Sequence, residues 1–193
     1  MNTILSIAFL ALAALVDGDK IPEYVVKGSC PNVDETSLWR EQKPKHSLFG
    51  GVWYQHSLTP NPFQPLEECV SMQFDFDGEG FAWKGFGYKA GGEAKDTEGE
   101  LYPMPLGDPH LMISAEKLFP APLVILDTDY DNYACLYSCM DFSSDYYTDF
   151  AFVYSRRPTL NDSYLKKCQS AFNKIGLQNS RLHKTLQGSK CSY

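Results

Sequence analysis

Between residues 50 and 156 the chain is divided into short segments that alternate apolar and polar side chains. Such alternation is typical of strands that bury one face. Pro60-Asn61-Pro62, Asp77-Gly78 and Gly91-Gly92 interrupt the segments and favour turns. The pattern predicts eight strands, at 51–58, 68–76, 80–88, 93–102, 109–114, 122–128, 132–140 and 148–156. Their spacing of roughly ten residues predicts an all-β, antiparallel up-and-down barrel, with a β-sandwich as the alternative.

The periodicity changes after Pro158. Thr159, followed by Asp162 three residues later, resembles the start of a helix, and Gly176 is typical of a helix end. Between them, apolar residues recur at helical spacing: Leu160, Tyr164, Leu165, Cys168, Phe172 and Ile175. We therefore expect one amphipathic α-helix that packs its apolar side on the outside of the strands.

The N-terminal apolar run covers residues 4–16 (ILSIAFLALAALV) and is followed by Asp17-Gly18-Asp19. This run is too short to span a bilayer comfortably, and its flanking residues suit cleavage after Gly18. The pattern predicts a signal peptide over residues 1–18, a single domain over residues 19–193 and a secreted, extracellular protein. The sequence contains no other candidate membrane span.

The six cysteines are Cys30, Cys69, Cys135, Cys139, Cys168 and Cys191. In a secreted protein they predict three disulfides, although six cysteines allow fifteen connectivities and the spacing selects none of them. No metal site is indicated, because the chain has no C-x-x-C pair and its four histidines are scattered.

Cys135 and Cys139 lie four residues apart on one predicted strand, so their side chains share a face. If both bridge to elements outside the sheet, that face is external. The intervening residues would then point inward, and their size would leave a cavity rather than fill it: Ala134, Leu136, Ser138 and Met140. This pattern indicates a binding function.

Composition excludes some classes of function and favours others. A net charge of −7 argues against a nucleic-acid binder, which needs a basic surface. Aromatic residues make up 14 % of the chain and predict a ring-rich core or cavity. We find no Ser-His-Asp pattern and no phosphate loop, so we expect a protein that is not an enzyme and has neither catalytic residues nor a catalytic cofactor. Asn161-Asp162-Ser163 is a candidate glycosylation site at Asn161.

Three short motifs lie at defined places in the predicted barrel. Gly51-Val52-Trp53 begins the first strand, Thr128-Asp129-Tyr130 ends the sixth, and Arg156 ends the eighth. The arrangement resembles the kernel of the lipocalins. The resemblance implies that Trp53 closes the barrel floor and that Arg156 packs across its ring as a cation on an aromatic face. It gives these residues a structural role rather than a catalytic one.

Longer segments resemble the A-type subunits of the crustacyanins, carotenoid-binding lipocalins of crustacean carapace. The segments span residues 19–34, 61–70, 101–111, 121–142, 162–172 and 184–191. The resemblance implies the disulfides Cys30–Cys139, Cys69–Cys191 and Cys135–Cys168. It also implies binding of astaxanthin in the barrel, or calyx, and pairing with a C-type crustacyanin subunit, with assembly into higher oligomers.

Three polar residues are candidates for contacts with the keto and hydroxyl oxygens of such a ligand. Gln55 shares strand parity with Trp53 and should point inward, while Gln64 should lie at the barrel mouth. The resemblance places His110 near a carotenoid keto group, where its ring could donate a hydrogen bond. The predicted apolar wall consists of Phe63, Phe119, Leu136 and Met140.

Two positions depart from the A-type pattern. Ala115 and Phe63 stand where the resemblance leads us to expect tyrosine. Both changes make the mouth less polar, which leaves open a smaller colour shift or another lipophile, such as a retinoid, bilin or fatty acid. An enzymatic lipocalin with a calyx thiol is a further alternative. It requires a free, activated cysteine, and Cys69 is the one near the mouth.

Overall fold

The computed structural model describes residues 21–33, 46–104, 111–115 and 118–193. The predicted signal peptide lies outside these residues. The described strands are β1 (Val25–Lys27), β2 (Gly51–Leu58), β3 (Glu68–Phe76), β4 (Phe81–Tyr88), β5 (Ala94–Pro103), β6 (Leu111–Ala115), β7 (Ala121–Thr128), β8 (Tyr133–Asp141), β9 (Tyr146–Ser155) and β10 (His183–Lys184). One α-helix, α1 (Asp162–Lys174), follows β9, and short 3-10 turns cover His46–Phe49 and Asn179–Arg181.

Strands β2 to β9 form a closed antiparallel barrel in chain order. Each pairs with the next, and β9 returns to pair with β2 through Tyr54 with Ser155 and Leu58 with Phe152. This closure confirms the eight-stranded up-and-down barrel and excludes the sandwich. Two short strands extend it on the outside, β1 along β9 and β10 along β2.

The alternating strand directions give the barrel two different ends. The 3-10 turn before β2 lies at one end with the β3–β4 and β7–β8 turns, and we call this the closed end. The loops β2–β3 (59–67), β4–β5 (89–93) and β8–β9 (142–145) lie at the other end, which we call the mouth, together with residues 118–120 before β7.

Trp53 fills the closed end. Its side chain is fully buried, and its indole Nε1 donates a 2.7 Å hydrogen bond to the carbonyl oxygen of Phe49. The two rings stack with their centroids 5.0 Å apart, and Phe74 and Phe81 pack edge-on against Phe49. The 3-10 turn therefore covers the floor with apolar rings and leaves no indole donor unpaired.

Arg156 fastens this floor from outside. Its guanidinium carbon lies 3.8 Å from the ring centroid of Trp53, as the family resemblance implied. Its three nitrogens donate to the carbonyl oxygens of Tyr130, Val52 and Leu48 at 2.9, 3.0 and 2.9 Å. Gly51 has a φ of +91°, and a Cβ there would lie 3.2 Å from Nη1 of Arg156, so the backbone conformation and the arginine both favour glycine.

The Thr128-Asp129-Tyr130 motif forms the β7–β8 turn. The Thr128 hydroxyl donates to the carbonyl of Tyr133 at 2.6 Å and accepts from the amide of Tyr130. Asp129 accepts from the amides of Asn132 and Tyr133. Partial burial alone would raise the pKa of Asp129, but these hydrogen bonds, together with one from the Asn132 side chain, hold it below its usual value. The turn thus presents the Tyr130 carbonyl to Arg156.

Helix α1 packs against the outer face of β7 to β9. Its N-cap is Asn161, whose Oδ1 accepts from the amide of Ser163 at 2.9 Å, so the prediction of Thr159 as the cap is wrong by two residues. Asn fits because its side-chain oxygen reaches the second amide of the helix. Gly176 ends the helix as predicted, with a φ of +83° and the paired hydrogen bonds of a Schellman motif.

The structure confirms the three disulfides that the resemblance implied, Cys30–Cys139, Cys69–Cys191 and Cys135–Cys168. Two of them tie the N-terminal arm and the helix to the outer face of β8. The prediction that Cys135 and Cys139 point outward is therefore confirmed.

Most inner side chains form one packed cluster, which we call the inner cluster and which extends from the closed end to Leu66 in the β2–β3 mouth loop. It contains Phe49, Trp53, Leu66, Val70, Met72, Phe74, Phe81, Trp83, Leu101, Leu111, Leu123, Ile125, Ala134, Leu136 and Tyr154. Ala134 and Leu136 point inward as predicted, but they lie in a filled region, because the aromatic rings occupy the space that small residues leave. The expected cavity is thus restricted to the part of the barrel that this cluster leaves unfilled.

The Arg156→Leu variant should lose about 2–4 kcal/mol of unfolding free energy, because three carbonyl oxygens lose their donor and Trp53 loses its cation. Urea unfolding measured by circular dichroism checks this. Arg157→Leu is the matched control, since Arg157 is exposed, and it should change the free energy by less than about 0.5 kcal/mol. Equal stability of both variants would contradict the role of Arg156.

Candidate functional site

The half of the barrel nearest the mouth is incompletely filled. Ile113, Ala115 and Phe152 pack against the inner cluster and remain partly exposed, whereas the inner residues nearer the closed end are buried. Met140, paired with Thr148 near the mouth, is also partly exposed. Because these side chains lie on the inner face, their exposed surface faces the lumen. The part of the lumen beside these side chains is therefore not completely filled, and its wall is largely apolar.

Gln55 is the fully buried polar side chain beside this lumen. It lies opposite Tyr154 in the β2–β9 register and shares its face with Trp53. Its Nε2 donates to the Thr185 hydroxyl at 2.9 Å, and its Oε1 accepts from Nε2 of Gln64 at 2.9 Å. Gln55 thus has the partners that a buried amide needs, and Gln64 reaches it from the mouth loop as a second polar group.

The C-terminal segment 183–187 completes the barrel wall here. Strands β2 and β3 pair only from Gly51 to Tyr54, and the segment lies between them nearer the mouth. Gln187 donates from Nε2 to the carbonyls of both Gln55 and Val70, at 2.8 and 2.7 Å. The sequence analysis did not identify this insertion, and the one signal for it was the position of Cys191 near the chain end.

The predicted apolar wall is distributed along the barrel. Leu136 lies in the inner cluster, and Met140 lies nearer the mouth. Phe63 is 49 % exposed on the β2–β3 loop, with its ring edge-on to Phe150 at 5.9 Å. Phe119 is 94 % exposed on the β6–β7 loop, so it belongs to the rim rather than to the wall. His110 lies outside the described residues.

Tyr154 is an inner-face residue that the sequence analysis did not single out. It is 5 % exposed and lies between Gln55 on β2 and Ala134 on β8. Its hydroxyl forms no hydrogen bond within the part of the chain that the structure describes, and burial raises the pKa of the phenol. Alternation along β9, with Phe150 and Phe152 on the same face, was the available signal.

Outside the barrel, the buried Asp149 forms an ion pair of 2.7 Å with the partly exposed Arg181. The Tyr137 hydroxyl donates to Asp149, and burial beside this carboxylate raises the pKa of Tyr137. The pair borders a cavity of about 240 Å³ that is also lined by Glu23 and Tyr147. The ion pair joins β9 to the 3-10 turn after the helix, on the side of the barrel wall away from the lumen.

The described residues restrict the chemistry available to the site. All six cysteines are paired, so the alternative of a calyx thiol lacks its nucleophile. Among residues 21–33, 46–104, 111–115 and 118–193, no three His, Cys, Asp or Glu side chains form a metal-binding group. The same residues contain no helix with the length and apolar character to cross a membrane. The site is therefore an apolar lumen with a few hydroxyl and amide groups.

The Gln64→Leu variant should lose about 1–3 kcal/mol of unfolding free energy, because Oε1 of the buried Gln55 would lose its donor. Thermal and urea unfolding check this. Gln73→Leu is the control, because the Gln73 side chain bonds to Asp75 at the surface. A stability equal to that of the control would contradict the buried network.

Comparisons with known proteins agree with this geometry. Residues 114–188 match the model of the lipocalin / cytosolic fatty-acid binding protein family. The crustacyanin-A1 and crustacyanin-C1 subunits of Homarus gammarus are each 50 % identical to the chain over 175 residues, covering 91 % of this chain and 97 % of theirs.

The crystal structure of lobster apocrustacyanin A1 superposes with a TM-score of 0.85 at 50 % identity, over 90 % of this chain and 97 % of that one. The A1 and C1 subunits are equally similar, so identity does not assign the chain to either type. The apolar calyx is closed at one end by Trp53 and Arg156, and the chain is highly similar to these subunits. Both observations support binding of a small lipophile. The chain belongs to the lipocalin family.

Proposed function

We propose that the chain is a secreted lipocalin that binds a carotenoid of the astaxanthin type in its calyx, as a crustacyanin-type pigment-protein subunit. The observation that carries the proposal is the half-filled apolar barrel in a chain that is 50 % identical to crustacyanin subunits over almost its whole length. Three disulfides support secretion, because such bonds persist in oxidising compartments.

The shape of the lumen suits one end of a long, rigid lipophile. Strands of eight to ten residues, such as β2 and β9, are roughly 25–34 Å long, and the inner cluster fills the closed half of the barrel. Because the inner cluster leaves only part of this length unfilled, a carotenoid would place one ring in the lumen and extend its polyene through the mouth. Carotenoid ends that carry oxygen also need polar partners, which the Gln55–Gln64 pair can provide.

The rim of the mouth supports pairing with a second subunit. Four large apolar side chains are exposed on its loops, namely Phe63, Leu118, Phe119 and Phe142. Clustered apolar groups of this kind are typical of surfaces that become covered. A C-type crustacyanin subunit placed over the mouth would cover them together with the protruding polyene.

A second candidate is the carriage of another small lipophile. Ala115 lies on the inner face near the mouth and carries no hydroxyl at the position where A-type subunits are expected to have tyrosine. A less polar mouth suits a retinoid, a bilin or a fatty acid as well as a carotenoid. Mass spectrometry of ligands extracted from the protein purified from its native tissue separates these possibilities.

Refolded protein should bind astaxanthin and shift its visible absorption to longer wavelength, alone or with a C-type subunit. Ala115→Phe should weaken binding by about tenfold, because the added ring occupies the open lumen. Met112→Phe is the matched control, since Met112 lies on the outer face of the same strand. Absorption titration gives both affinities.

Absence of binding and of any red shift, both for the chain alone and for the mixture, would contradict the carotenoid proposal. Equal affinities of the Ala115→Phe and Met112→Phe variants would contradict placement of the ligand in the calyx.

A further inference from the structure

The hydroxyl of the buried residue Tyr154 has no protein partner in the described structure. The ring belongs to the inner cluster, and the residue is 5 % exposed. Its neighbours across the strands are Gln55, whose amide is already bonded to Thr185 and Gln64, and Ala134, which has no polar side chain. The hydroxyl is therefore free to bond to a group that enters the lumen.

The two inner tryptophans of the described barrel are paired. The Trp53 indole donates to the carbonyl of Phe49, and the Trp83 indole donates to the carbonyls of Glu100 and Ser114. These bonds end on the barrel's own backbone, so they need no ligand. Tyr154 differs from both tryptophans because its hydroxyl has no such acceptor.

Tyr154 lies where the filled and open halves of the barrel meet. Phe152, two residues nearer the mouth on the same face, packs against the inner cluster and is partly exposed to the lumen. Two residues along a strand correspond to about 7 Å. The Tyr154 ring thus belongs to the floor of the open half, where the inner end of an inserted ligand would arrive.

We propose that Tyr154 is the polar anchor of the calyx, whose hydroxyl donates a hydrogen bond to an oxygen atom at the inner end of the bound lipophile. The inference rests on the proposed binding of a lipophile and adds that the ligand is oxygenated at the end that enters first, as a ketone or an alcohol. Burial raises the pKa of the phenol, so it is a neutral donor at physiological pH.

The test compares Tyr154→Phe with wild type on two matched carotenoids, astaxanthin and β-carotene, the second of which has no oxygen. The variant should bind astaxanthin about three- to tenfold more weakly and β-carotene with unchanged affinity. Tyr164→Phe is the control for the same substitution, because Tyr164 stacks on Tyr133 outside the barrel. It should leave both affinities unchanged.

Unfolding of the ligand-free protein separates anchoring from a structural role. Because the Tyr154 hydroxyl has no partner to lose, Tyr154→Phe should have a Tm equal to or above that of wild type. A lower Tm, or equal affinities of variant and wild type for astaxanthin, would overturn the inference. Equal weakening towards both carotenoids would also overturn it, since that result indicates altered packing.

A second ligand pair, hexadecanol and hexadecane, keeps this inference distinct from the carotenoid proposal. Both are measured by displacement of bound 8-anilinonaphthalene-1-sulfonate. If wild type binds neither carotenoid but Tyr154→Phe weakens binding of hexadecanol and not of hexadecane, the carotenoid proposal fails and the anchor stands. If wild type binds none of the oxygenated lipophiles, both fail.

Discussion

The contact of Arg156 with Trp53 is the interaction on which the rest of the barrel depends. A closed sheet of eight strands has two open ends, and this contact seals one of them. The cation lies on the indole face while its three nitrogens bind carbonyls from three different chain segments. The Arg156 guanidinium lies at the closed end, so its charge does not face the lumen and the lumen can be apolar. Because the same contact seals this end, a ligand can enter only from the mouth.

The outer shell makes this barrel rigid without using its interior. Helix α1, the N-terminal arm and the C-terminal segment are each tied to a strand by one disulfide. Such crosslinks restrict the unfolded chain and contribute about 2–4 kcal/mol each in typical cases. The interior can therefore remain half empty near the mouth, because part of the stability that a filled core would provide comes from the shell.

The sequence predicted the barrel and its helix well, because both depend on local patterns. Alternation and turn residues placed β2 and β3 at their observed bounds, and Gly176 ends the helix through its left-handed backbone. The insertion of residues 183–187 between β2 and β3 could not be predicted, because it depends on two hydrogen bonds from Gln187 to distant carbonyls. The filled part of the lumen was also missed, since Trp83 occupies space that the small Gly99 leaves open.

We propose that the barrel combines a packed core at its closed end with a site for an oxygenated lipophile near its mouth. A crystal structure of the protein with astaxanthin tests this most directly. The account predicts one ring of the pigment between Ala115 and Phe152, an oxygen within hydrogen-bond distance of the Tyr154 hydroxyl, and the polyene leaving through the mouth. Pigment bound on the outer face of the barrel, or a lumen without pigment in a coloured crystal, would contradict it.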